Sequence, residues 1–108
     1  MPVLIQIHAV DFQSTEAIND HINKTVAHAM EKNERQVTRV EVHLHDSNAK
    51  KGGVDKRCVM EARLAGHQPL AVEAIHADMY LAITDAAGKL QRAVSHKLDR
   101  HESHRSGH

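Results

Sequence analysis

From Met79 to Leu98, apolar residues return at helical spacing: Met79, Ile83, Ala86, Ala87, Leu90, Val94 and Leu98. A stripe sustained over about 20 residues predicts an amphipathic helix, and such a helix needs an apolar surface to cover. The preceding sequence offers that surface as strands. Val3 to Ala9 alternates Val3, Ile5, Ile7 and Ala9 against Leu4, Gln6 and His8. Val37 to His45 sets Val40, Val42 and Leu44 against Arg39, Glu41, His43 and His45, and Lys56 to Ala65 places Cys58, Met60, Ala62 and Leu64 on one face. Period-two patterns of this kind read as strands with one buried side. Leu70 to Ile75 fits a short fourth strand.

A first helix is expected from about Thr15, with Ser14 as its N-cap and Ile18, Ile22, Thr25, Val26 and Ala29 as its apolar stripe against Asp20, Lys24, His28 and Glu31. Asp78 suits the N-cap of the second helix. Gly88 inside that helix costs about 1 kcal/mol relative to Ala. Asp46 to Gly53 and Gly66 to Pro69 carry the turn chemistry between strands. The order is therefore β-α-β-β-β-α. In 108 residues both helices must share one core, which predicts an α+β, two-layer sandwich with two helices on one face of a four-stranded sheet. The right-handed crossover rule makes the first strand parallel to the second. We expect one domain over residues 1–101 and a polar, His-rich, disordered tail over 102–108.

Composition narrows the function. One cysteine, Cys58, excludes an intrachain disulfide framework and a CxxC site, and its inward strand position reads as a small buried hydrophobe. The N-terminus lacks a basic and apolar leader, and no apolar run approaches the ~20 residues needed to span a bilayer, so a cytoplasmic protein is expected. No GxSxG, P-loop or HExxH motif occurs and the carboxylates are scattered, so neither an enzyme, a cofactor nor a small-molecule substrate is expected. With Phe12 and Tyr80 as its two aromatics, the chain is poorly equipped to bind single strands by base stacking.

Fourteen Lys and Arg balance fourteen Asp and Glu, but not locally. Lys89, Arg92, Lys97, Arg100 and Arg105 face two acids, Asp99 and Glu102, over the last twenty residues, and Lys50, Lys51, Lys56 and Arg57 cluster with one acid, Asp55. On a helical wheel Asp85, Lys89, Arg92, His96 and Arg100 share an arc of about 80° opposite the apolar stripe, whereas Lys97 falls on the apolar side. Such a ridge is either a solvated face, helped by the Asp85–Lys89 spacing, or a track for successive phosphates. Among eleven histidines, His43-x-His45 and His101-x-x-His104 each supply half of a metal site and nothing at ligand spacing completes either, so no metal site is expected.

The run Asp78-Met79-Tyr80-Leu81-Ala82-Ile83-Thr84-Asp85, then Lys89-Leu90-Gln91-Arg92, then His96-Lys97-Leu98-Asp99-Arg100, resembles the hibernation-promoting factor and ribosome-associated inhibitor family, also labelled sigma-factor modulation proteins. The likeness is strongest there, looser over Val3 to Met30 and weak through strands two to four. It implies a fold like that of double-stranded-RNA-binding domains, a place on the small ribosomal subunit against ribosomal RNA, and silencing of translation in stationary phase or stress. By position it implies phosphate contacts at Lys24, Lys89, Arg92, Lys97 and Arg100, and a ring at Tyr80 that packs at the helix start or meets a base; the wheel adds His96, and the local charge excess adds the loop residues Lys50, Lys51, Lys56 and Arg57 as further candidates to reach phosphate. Helix one, with Asp20 and Glu31 beside Lys24 and Lys32, is less basic than that family leads one to expect, and direct pairing of ribosomes, which long members achieve with a second domain, is not expected of these 108 residues. A protein-interaction module using the outer sheet face (Arg39, Glu41, His43, His45) is the alternative.

Overall fold

The computed structural model describes residues 3–9, 13–46 and 55–106, with side chains as far as Asp99. Its elements run β1 (Leu4–Ala9), α1 (Glu16–Met30) followed by a single 3₁₀ turn (Glu31–Asn33), β2 (Val37–Asp46), β3 (Lys56–Leu64), β4 (Leu70–His76) and α2 (Met79–Ser106). The sheet order is β1-β2-β3-β4. β1 pairs with β2 in parallel, and β2-β3-β4 form an antiparallel meander. The expected β-α-β-β-β-α sandwich and its parallel first pair are therefore present.

The two central strands bury the residues their alternation assigned to the core, while Ile5 and Ile7 of β1 and Leu70 and Val72 of β4 pack half-buried against it. Val40, Val42 and Leu44 of β2 and Cys58, Met60, Ala62 and Leu64 of β3 are buried, and Ile22, Val26, Ala29 and Met30 of α1 close over them with Met79, Ala82, Ile83, Ala86, Ala87, Leu90 and Val94 of α2. Side chains such as Ile83 and Leu90 contribute about 1.5–3 kcal/mol each when fully buried. α2 packs on β3 and β4, and α1 lies beside α2.

The first helix is capped one residue later than the sequence suggests. Ile18 N donates to Thr15 Oγ1 at 3.1 Å and Asn19 N to Thr15 O at 3.0 Å, while the Ser14 hydroxyl donates to Asn19 Oδ1 at 2.7 Å. Thr15 has the extended backbone of an N-cap (φ −91°, ψ 161°), which puts its hydroxyl within reach of the amide three residues on. At α2 the expected cap forms, Tyr80 N donating to Asp78 Oδ1 at 2.8 Å. Between β3 and β4 the chain turns at Gly66, whose φ of 76° favours glycine. The Asp46–Gly53 turn falls almost wholly on residues 47–54, outside the described set. Helical backbone continues to Ser106, five residues beyond position 101, where the sequence reading ends the domain.

Two contacts fix how the helices lie. His21 Nε2 and Thr84 Oγ1 are 3.1 Å apart near the start of both helices, and Asn33, just past α1, donates from Nδ2 to Ser95 Oγ at 3.2 Å. α1 and α2 thus run the same way, and the buried polar Asn33 is satisfied by the helix it ties down.

Candidate nucleic-acid interface

The helical layer exposes its polar side away from the sheet. Because His21 and Thr84 are level and helices rise about 1.5 Å per residue, Lys24 sits roughly 4.5 Å further on, Lys89 about 7.5 Å, Arg92 about 12 Å and His96 about 18 Å. Lys24, Lys89, Arg92 and His96 are exposed and Lys97 is half-buried, consistent with its place on the apolar side of the wheel. That spread is enough to meet more than one phosphate of a nucleic-acid backbone.

The candidate cations differ in what already holds them. Lys24, Arg92 and Lys97 form no ion pair with the described residues. The Arg92 guanidinium folds back along its helix, so that a Cβ built at Gly88 would stand 3.4 Å from Arg92 Nη1. The glycine therefore faces the exposed side, beneath a flexible side chain, rather than the packed core. Lys89 turns toward the sheet edge instead: its Nζ donates to the main-chain carbonyl of Glu73 in β4 at 2.9 Å and lies 3.7 Å from Asp85 Oδ2. Asp85 in turn sits 3.1 Å from His76 Nε2. That hydrogen bond, then the nearby positive charges of Lys89, His76 and Arg92, hold the Asp85 carboxyl below its ordinary range.

Lys56 and Arg57 do not join this surface. Lys56 donates to Asp55 Oδ2 at 2.8 Å and to Asp46 Oδ1 at 3.0 Å, and these bonds, Asp55 first, raise its pKa above the usual lysine value. Arg57, the next residue on the strand, necessarily points to the opposite face, where it is hydrogen-bonded to the Glu73 carboxylate. Lys50 and Lys51 lie outside the described residues, as does the Arg100 side chain. Tyr80 is 41 % exposed and meets His21 edge-on with ring centroids 5.1 Å apart, a surface contact between the two helices. Cys58 is buried, and burial pushes its thiol up to about 12, which removes it as a nucleophile.

Sequence reasoning missed the outer face of the sheet as an organised set of charges. Arg39 pairs with Glu41 at 3.0 Å, and Arg63 lies 3.6 Å from both Glu41 and Glu61. His43 stacks on His8 of the neighbouring strand, with centroids 4.8 Å apart and planes 14° from parallel, rather than pairing with His45. The only signal for this was the strand register, which no spacing within one strand discloses. No described helix is long and apolar enough to cross a membrane.

A model of the family described as sigma 54 modulation protein / S30EA ribosomal protein matches residues 5–102. A ribosomal subunit interface protein from Coxiella burnetii has a similar structure, with a TM-score of 0.77 at 16% identity over 90% of this chain and 99% of that one. The N-terminal domain of Protein Y from Thermus thermophilus aligns with a TM-score of 0.66 at 27% identity, covering 87% of this chain and 96% of that one. No curated protein matches the chain.

Proposed function

The chain belongs to the sigma 54 modulation protein / S30EA ribosomal protein family, and from that premise we propose that it is a ribosome-associated factor of the hibernation type. In this reading it binds the small subunit, meets ribosomal RNA phosphates through Lys24, Lys89, Arg92, Lys97 and Arg100, and silences translation in stationary phase or stress. It acts in the cytoplasm by occupancy, without catalysis or a small-molecule substrate. The name of the Coxiella burnetii neighbour, a ribosomal subunit interface protein, agrees with such a seat. The observation that carries the proposal is the helical surface on which Lys24 and Arg92 stand exposed without a carboxylate partner among the described residues. Unpaired cations give up no internal ion pair when they bind phosphate, so their attraction is realised in full and falls as salt rises.

Co-sedimentation with purified small subunits across a salt series tests this. Binding at low salt that weakens steeply with rising salt is expected; a protein that stays at the top of the gradient at low salt overturns the reading. A second reading, docking of a protein partner on the outer sheet face, draws on the exposed Leu4 (55 %) and Ile75 (46 %), which flank its neutralised charges. Binding indifferent to salt and to ribonuclease would mark that case.

A further inference from the structure

We propose that His8, Glu41 and His43 form a binding site for a divalent transition-metal ion of the zinc class on the outer face of the sheet. The parallel register sets His8 directly opposite His43. Glu41 precedes His43 by two residues and so shares its face of β2. Its Oε1 lies 3.4 Å from His8 Nε2, and one ligand atom from each of the three residues lies within 4.8 Å of the others.

Zinc holds nitrogen and oxygen donors at about 2.0–2.1 Å, which places neighbouring donors of a tetrahedron about 3.4 Å apart. The His8–Glu41 separation of 3.4 Å already matches that edge. The widest donor separation, 4.8 Å, exceeds it by roughly 1.4 Å, a distance that half-exposed imidazoles cover by rotating about χ1 and χ2. Two imidazoles and one carboxylate select borderline ions such as zinc over calcium or magnesium, and three protein ligands leave a fourth position for water.

The carboxylate is also oriented for the task. Its other oxygen, Oε2, is held by Arg39 at 3.0 Å and Arg63 at 3.6 Å, so Oε1 is the oxygen turned toward the imidazole. Charged partners of this sort orient a metal ligand without occupying the donor atom. The same two guanidiniums add positive charge beside the ion and keep the affinity below that of a closed, four-ligand zinc site. A bound ion would tie β1, which has one sheet neighbour, to β2. It would do so on the face opposite the helices, leaving Lys24 and Arg92 untouched.

The test is titration of the full chain with zinc chloride, read by competition with a chromophoric chelator, in the wild type and in His8→Gln, His43→Gln and His101→Gln/His104→Gln variants. Zinc affinity should fall at least tenfold in each of the first two and stay unchanged in the third. Equal affinity in wild type and the two strand variants, loss in the tail variant instead, or no zinc binding by the wild type overturns the site. Cobalt(II) added to the wild-type chain gives a readout that requires no variant to fold. The imidazole proton signals of His8 and His43 should shift first, and a response confined to other histidines removes the proposal.

Discussion

The two broad faces of this molecule carry similar kinds of residue and use them in opposite ways. On the outer face of the sheet each arginine has a carboxylate: Arg39 and Arg63 share Glu41, Arg63 also reaches Glu61, and Arg57 holds Glu73. On the helical layer, Lys24 and Arg92 have none among the described residues. Half-exposed pairs contribute at most about 1 kcal/mol each, so the pairing on the sheet matters chiefly as neutralisation. A face whose charges cancel internally has little field to offer a polyanion, whereas isolated cations on a ridge project one. Net charge, zero over the whole chain, conceals this division.

Reversing the free cations tests the contrast most severely. Lys24→Glu with Arg92→Glu should weaken binding to small ribosomal subunits about a hundredfold at low salt and reduce the salt slope by nearly two, with the melting temperature unchanged. An unaltered slope in the sedimentation series would break the comparison. A smaller effect is expected at the one acid on the ridge. Asp85→Asn should strengthen binding about two- to fivefold by removing a negative charge among the cations. The same variant has a signature in acid unfolding. The folded Asp85 carboxyl is held below 3.8, so the stability it lends is present above that pH and is lost as pH falls through the folded value. The variant should therefore show a flatter loss of stability below about pH 4, measured by denaturant midpoints across pH. The smallest effect belongs to the sheet face. A double-mutant cycle on Arg57→Ala and Glu73→Ala should return a coupling of about 0.5 kcal/mol or less, with ribosome binding unchanged in all three variants.

The fold was largely legible because burial imposes its period on the sequence. Val40, Val42 and Leu44 could be assigned inward without knowing their neighbours, and the parallel seating of β1 followed from the handedness of one crossover. The cap slipped by one residue because Ser14 and Thr15 both bear a hydroxyl, and only the backbone dihedrals decide which faces the first free amides. The candidate site was legible where it lies on one helix. Lys89 and Arg92 fall on one arc of the helical wheel that the sequence alone defines. That Lys89 bends to β4, that His76 binds Asp85, and that His43 meets His8 all depend on residues brought together from distant parts of the chain, and local periodicity carries no record of them.

The bond from Lys89 to the Glu73 carbonyl gives one side chain two obligations. β4 closes the sheet on one side, and an edge strand with open carbonyls is a template onto which another strand can add. Lysine placed along such an edge discourages that addition, by occupying an acceptor and by setting a charge where a neighbouring backbone would come to rest. A phosphate that draws Lys89 outward therefore exchanges one acceptor for another and uncovers the edge as it does so. Under the proposed function, guarding this edge and meeting a phosphate would compete at this single amine, so Lys89→Ala should cost less binding than Arg92→Ala in the same sedimentation series.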